Sequence, residues 1–488
     1  MKLSDLLKDI YQGEVPSRFA ADDIRAISSD SREVNPGSLF VALQGPDQNG
    51  TRFIPEAVAR GAAVIVCGDP DHPAAKTSLQ SDVCLLKVRD AFRFLKEALI
   101  KLYGDPSQKV AVIGITGTNG KTTTAYFLES IVNAAGKTSG VMGTVNHRIG
   151  PEIIPAKNTT PGMVENHLFL SRLAEHNIPC CIMEVSSHAL QQGRVDNITF
   201  ACAVFTNLTL DHLDYHRDMD SYFKAKALLF DRLSPKAAAI LNSDDPYARR
   251  LADLTQAKIL RYGLDPSADV RAESIALDLS GSQCVVVTPS ESIRFKTRLI
   301  GEHNIYNILA ATAAALSQGI SPAVIRKGIQ QLDVIPGRLE AVDCGQDFHV
   351  FVDYAHTDDA LQNVLKNLRA ISKQKIITVF GCGGNRDTTK RPKMGRIAGD
   401  LSDWSIVTND NPRNEDPEDI AKQVLKGFQD RRYEVILDRK EAIVKALSMA
   451  QKGDVVLVAG KGHENYQIFK DRTIHFDDRE VIRTYFKK

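Results

Sequence analysis

The chain has 488 residues, 43% hydrophobic and 25% charged, with a formal net charge of +1. That length suits about three domains with sizeable apolar cores, and the balanced charge excludes a nucleic-acid-coating surface or an acidic tail. No apolar run approaches the roughly 20 residues that cross a bilayer, and the N-terminal MKLSDLLKDI mixes acids and bases too early for a signal peptide.

The eight cysteines show no CxxC spacing, which points to thiols in a reducing cytoplasm without zinc sites or disulfides. Residues 1–105 read as a small α/β domain. Strands are expected at 38–43 (SLFVAL) and 62–67 (AAVIVC), with a helix at 54–61 closed by glycine. The polar stretches SSDSR (28–32) and QGPDQNGT (44–51) could touch a ligand, though on residue type alone they are ordinary surface loops.

A second domain is expected over 106–336. Strand-like runs recur at 110–115, 180–185, 201–206 and 237–241, with helical runs at 122–135 and 221–233. The alternation predicts a mostly parallel sheet with helices on both faces and ligands at the carboxyl ends of its strands. The stretch that organises it is KVAVIGITGTNGKTTT (109–124). An apolar strand runs into a loop at Gly117, Thr118, Asn119 and Gly120, and Lys121, Thr122 and Thr123 open a helix. Glycines let backbone N–H groups turn inward, the helix start favours an anion, the lysine supplies a cation, and a threonine hydroxyl suits Mg²⁺. The usual glycine five residues before the Gly-Lys pair is replaced by Ile115. Polar clusters at 184–188 and 207–216 also follow strands, so three strand ends converge. Short alternating runs from about 265 to 300 read as antiparallel hairpins, and a helix is expected at 304–316.

Pro336, Gly337 and Arg338 form a turn before a third α/β unit, expected over 337–488. Its strand candidates are 350–352, 376–380, 405–408, 434–437 and 455–458, with helices at 417–428 and 440–450. The strands end in DYAHTDD, GCGGNRD, NDNPRNEDP and GKGHENY. The fold class expected is therefore three-domain α/β: a small N-terminal unit, a central P-loop-type mostly parallel sheet, and a C-terminal Rossmann-like unit.

GTNGKTT, NTTP (158–161), EVSSHAL (184–190), TNLTLDHLDYH (206–216), GEHNIYN (301–307), DYAHT (353–357), GCGGNRD (381–387), DNPR (410–413) and AGKGHE (459–464) occur in one order. With them the chain resembles the Mur ligases of bacterial peptidoglycan synthesis nearly end to end. The likeness is greatest to those that add meso-diaminopimelate to a UDP-N-acetylmuramoyl dipeptide. It implies ATP-driven amide formation through an acyl phosphate, with Mg²⁺, and small-molecule substrates handled by a monomer. For catalysis it implies Lys121, Glu184, His212 and Lys226. Thr122, Glu184 and His212 would ligate metal, and so would Lys226 once carboxylated at N6 by CO₂. Only a neutral amine reacts with CO₂, so such a site must disfavour the ammonium; as bare sequence, Lys226 is a solvated helix residue.

The resemblance further implies ATP contacts from Gly117 to Thr123, at Asn304 (adenine), at Arg338 and at Asp353, with His356 nearby. For the UDP-muramoyl dipeptide it implies Ser29, Ser31, Pro46, Asp47, Gln48, Asn158, Thr159, Thr160, Ser186, Gln192 and Arg194. For diaminopimelate it implies Arg391, Asp410, Asn411, Pro412, Arg413, Gly460 and Glu464, the arginines matching the extra carboxylate that lysine lacks. Two positions depart from the family pattern: Asp358 stands for proline and Asn385 for aspartate. The alternatives are the same scaffold using L-lysine or a folate, and a P-loop NTPase switch. DNPR argues against lysine, SSDSR against a folate, and DNPR with GKGHE against a switch.

Overall fold

The computed structural model describes residues 1–45, 49–69, 72, 74–75, 82–210, 213–429 and 432–487, with Leu213 and Asp214 described by backbone alone. Pro46, Asp47, Gln48 and His212 therefore lie outside the described residues. Three parallel-rich sheets follow one another along the chain. The first is β1 (Ala26–Ser28), β2 (Ser38–Ala42), β3 (Ala62–Cys67) and β4 (Cys84–Lys87), parallel and in sequence order.

The central sheet has eleven strands. They are β5 (Ala111–Thr116), β6 (Ser139–Met142), β7 (Asn146–Ile149), β8 (Glu152–Pro155), β9 (Cys180–Glu184), β10 (Phe200–Phe205), β11 (Ala238–Asn242), β12 (Lys258–Gly263), β13 (Val270–Asp278), β14 (Gly281–Val287) and β15 (Ser292–Thr297). Their order is β15-β14-β13-β12-β11-β10-β5-β9-β6-β7-β8. Strands β6 and β9–β13 pair in parallel around β5, and both margins are antiparallel. The hairpins expected at 265–300 form one margin. The other, β6–β8, was not legible in the sequence, because its strands are four residues long and β7 reads NHRI.

The third sheet takes β16 (Glu340–Ala341), β17 (His349–Asp353), β18 (Ile376–Phe380), β19 (Trp404–Val407), β20 (Tyr433–Val435) and β21 (Val455–Ala459) in the order β16-β17-β21-β18-β19-β20. All its pairs are parallel except β16–β17.

Each sheet separates two apolar layers, as a two-residue strand period demands. Ile113 and Ile115 of β5 face the helices Lys121–Ala134 and Glu302–Ser317, while Val112 faces Met219–Asp231. Each such buried side chain contributes about 1.5–3 kcal/mol. Met219–Asp231 begins earlier than expected because Asp218 accepts from Ser221 N (2.7 Å). Asp358 does not disturb the helix Asp358–Ile371: Thr357 caps it by accepting from Ala360 N, and two acids suit its first turn. No described helix is long and apolar enough to cross a membrane.

Candidate functional site

Strands β10, β5 and β9 are neighbours, so the polar segments after each meet at one sheet edge. The loop after β5 turns at Gly117 (φ 145°) and Gly120 (φ 88°). A side chain at either would collide, with the Thr206 hydroxyl or with Asn307 Oδ1. The segment after β10 clamps the loop. Thr118 N donates to Asn207 O (2.8 Å), Asn119 N to Asn207 Oδ1 (2.9 Å), and Thr206 Oγ1 to Asn119 O (2.6 Å). Helical bonding starts only at Thr124 N to Gly120 O (2.9 Å), so the N–H groups before it face the cavity end of the helix. Lys121 Nζ lies over the loop, donating to the carbonyls of Gly117 (2.9 Å) and Thr118 (2.8 Å).

Glu184, at the end of β9, is 1% exposed. Its Oε2 accepts from Thr122 Oγ1 (3.0 Å) and Thr144 Oγ1 (2.9 Å), and its Oε1 from Thr144 N (3.0 Å). Thr144 was missed in the sequence, although it too follows a strand end, that of β6. Lys226 is 2% exposed, not solvated, and donates to Gly117 O (2.8 Å) beside the Tyr222 ring.

Residues 118–123, Thr144 and Glu184, though not Lys226, line a cavity of about 610 Å³ between the central and third sheets, of a size that suits a nucleotide. Its far wall carries His303, Tyr306 and Asn307. Asn304, expected at the adenine, is buried and not among the lining residues, its amide donating to Ile300 O (2.8 Å) and accepting from Asn307 (3.2 Å). Asp353 borders the cavity, but both carboxylate oxygens accept backbone N–H groups, from Leu339 (2.7 Å) and Ala355 (2.8 Å), which fixes the linker turn. Burial raises its pKa, with Arg338 and those N–H groups opposing.

The 158–194 residues gather around Glu184. Thr160 Oγ1 donates to Glu184 O (2.8 Å) and accepts from Ser186 N (3.0 Å), and Thr159 meets Thr144 (3.1 Å). Arg194 donates to Gln192 Oε1 (2.9 and 2.6 Å) and Thr160 O (2.9 Å), and burial lowers its pKa. Asn158 is exposed. On the first sheet Ser29 is half-buried, whereas Ser31 is buried and donates to Glu56 (2.6 Å).

In the third sheet, β21, β18 and β19 are neighbours, and their carboxyl-end loops form a second cluster. Lys461, fully buried and not singled out in the sequence, lies 3.1 Å from Glu464, 3.8 Å from Asp410 and 3.3 Å from Asn411 Oδ1. Asn411 also donates to Glu464 (3.0 Å) and accepts from Ile468 N (3.0 Å), so its amide holds the cluster together. Gly460 (φ 115°) follows β21 beside Asp410. Arg413, at φ 53°, donates to Gly384 O (2.8 Å).

Arg391, expected beside it as a ligand, is buried, with its Nε unpartnered among the described residues. It is 0% exposed and binds Glu415 (2.8 and 3.0 Å), Gln423 (3.0 Å) and Gly383 O (3.2 Å). Asn385, the other departure, sits at φ 53°, which asparagine tolerates, and accepts from Asn414 N (3.0 Å).

Arg338 joins the clusters. It donates to Thr122 Oγ1 (3.4 Å) and lies 5.5 Å over the Tyr354 ring, which stands 4.8 Å from His463. Burial, then Arg338, Arg479 and His356, push His463 down to about 4, so it is neutral near pH 7. Across the same seam Asn119 donates to Asp359 (3.2 Å).

The sequence matches the Mur ligase family, catalytic domain over residues 23–99, the Mur ligase middle domain over 115–315, and the Mur ligase, glutamate ligase domain over 337–462. The chain belongs to the Mur ligase family. It is similar to the UDP-N-acetylmuramoyl-L-alanyl-D-glutamate–2,6-diaminopimelate ligase of Geobacter metallireducens, with 45% identity over 100% of this chain and 99% of that protein. The Bacillus cereus protein of the same name is 42% identical over 99% and 98%. A solved structure of that name superposes with a TM-score of 0.71 at 32% identity, covering 100% of this chain and 99% of that one. A MurF ligase from Thermotoga maritima, solved in complex with ADP, shares the fold of this Mur ligase (TM-score 0.63, 18% identity, 95% and 97% covered).

Proposed function

We propose that this Mur ligase adds meso-diaminopimelate to UDP-N-acetylmuramoyl-L-alanyl-D-glutamate, using ATP and releasing ADP and phosphate, in cytoplasmic peptidoglycan precursor synthesis. The observation that carries the reading is the contact of the phosphate loop with the amino-acid loops through Arg338 and Tyr354.

A carboxylate repels an amine and has no good leaving group, so it is first phosphorylated by the γ-phosphate of ATP. The N–H groups at 120–123 and the Lys121 ammonium hold the phosphates in line, and Arg338 adds charge from the linker. Thr122 and Glu184 offer hard oxygens 3.0 Å apart, which fits Mg²⁺. That ion would neutralise phosphate charge, and His212 and N6-carboxylated Lys226 would complete its sites. Lys226→Ala should then lose activity that short carboxylic acids partly restore. Thr160, Ser186, Gln192 and Arg194 hold the muramoyl dipeptide with its carboxylate toward the γ-phosphate.

The amine then attacks the acyl phosphate and phosphate leaves. Asp410 and Glu464 share the single ammonium of Lys461, so one negative charge remains to receive the ammonium of the amino acid. Arg413 supplies the cation for the distal carboxylate, which lysine would leave unmatched. With ¹⁸O in the D-glutamyl carboxylate, the released phosphate should carry label and the nucleotide product should be ADP; AMP with pyrophosphate would overturn the scheme.

A further inference from the structure

The C-terminal helix Asp478–Phe486 contributes none of the motifs above, yet its first turn lies beneath both amino-acid loops. Asp478 and Arg439 are both fully buried and make a two-pronged pair, Nε to Oδ1 and Nη2 to Oδ2, each 2.8 Å. Arg439 begins the helix Arg439–Met449, capped by Asp438, which accepts from Glu441 N (2.9 Å). The rest of its guanidinium faces backbone: Nη2 donates to Ala459 O (3.0 Å) and Nη1 to Asn409 O (3.3 Å).

Those two carbonyls immediately precede Gly460 and Asp410. One planar cation therefore sets the spacing between the loops that follow β21 and β19. A lysine in its place has no fork to hold two carbonyls and two carboxylate oxygens at once. A carboxylate at the start of a helix is favoured, which fixes Asp478 in turn. The neighbouring Arg479 reaches Glu340 (3.2 Å), which accepts from Gly337 N (3.0 Å), so the same turn also grips the interdomain linker.

We propose that Arg439 and Asp478 are positioning residues for the amino-acid substrate. They hold the 410–413 and 460–464 loops at the separation that lets Asp410, Glu464 and Arg413 grip one zwitterion. The inference rests on the function proposed above only for the identity of that amino acid.

Breaking one partner strands a buried charge, whereas an apolar pair of similar volume keeps the fold. The test is therefore the double variant Arg439→Met/Asp478→Leu, with Arg439→Lys beside it. Steady-state kinetics of the double variant should show KM for meso-diaminopimelate raised about tenfold or more with KM for ATP within about twofold. Arg439→Lys should recover part of the loss. Hydrogen exchange without substrate should quicken at 410–413 and 460–464 and stay unchanged at 117–123.

An equal rise in both KM values, unchanged exchange at the two loops, or failure of both variants to fold would overturn the proposal. The exchange measurement needs no amine. A wild-type protein indifferent to meso-diaminopimelate would fail the functional reading and leave this arm to decide the positioning role.

Discussion

The loop at 117–123 and the third-sheet loops at 410–413 and 460–464 hold charge in opposite ways. Residues 117–123 are contiguous and present backbone N–H groups at a helix start, with one lysine above them. The third-sheet loops come from three strands, and charged side chains in them and in the helices beside them hold one another: Lys461 with Asp410 and Glu464, Arg391 with Glu415, Arg439 with Asp478. Backbone groups of one contiguous loop, clamped by the segment after β10, build the first site, whereas ion pairs, most of them long-range, build the second. A charged motif residue in the second is therefore as able to be scaffold as ligand contact.

Substitutions can break this contrast. The largest effect belongs to Lys121→Met, expected to lower kcat by about a thousandfold or more with little change in KM for meso-diaminopimelate. Next come the two arginines, which the contrast separates. Arg391→Ala removes a buried side chain with its charged hydrogen bonds and should cost roughly 1.5–3 kcal/mol of folding stability, read by urea unfolding. Arg413→Ala should leave the urea midpoint in place and raise KM for meso-diaminopimelate about 10- to 100-fold, a loss of roughly 1.5–3 kcal/mol, with KM for ATP unchanged. Similar behaviour of the two would erase the distinction between scaffold and ligand contact. Thr144→Val keeps the N–H to Glu184 but removes the hydroxyl, so kcat should fall about tenfold.

The smallest effect is an acid one. Hydrogen bonds from Arg391 and Asn385 N hold the Glu415 carboxyl below its usual 4.5. A lowered folded-state pKa contributes stability that is whole above the usual value and is lost as pH falls through the lowered one. Glu415→Gln should therefore be less stable near neutrality and show a shallower loss below about pH 4.5, measured by urea midpoints across an acid series.

The same contrast explains what could be read in advance. The loop at 117–123 is legible because strand, glycines, lysine and hydroxyls are adjacent in the chain. The placement of polar segments at strand ends follows from the parallel alternation, and it brought 184–188 and 410–413 to the right edges. Side-chain assignments within those segments were harder. Asn304 and Asn307 are one helical turn apart, and only packing decides which of them reaches the cavity. Arg391 entered through the resemblance alone, and its pairing with Glu415, 24 residues away, leaves no local signal. Lys461 hid within a glycine-rich motif, and Asp478 within an unremarkable C-terminal helix, since pairing across 39 residues leaves no local signal. Arg413 adopts φ 53°, a conformation that its residue type does not announce.

The most direct test of the account is phosphate release measured with UDP-N-acetylmuramoyl-L-alanyl-D-glutamate and a panel of amines: meso-diaminopimelate, L-lysine, D-lysine and glutamate. The account predicts release that requires both the nucleotide-sugar peptide and an amine, with meso-diaminopimelate preferred over L-lysine by about 100-fold or more in kcat/KM. Equal rates with L-lysine, or equal release with no amine at all, would contradict it.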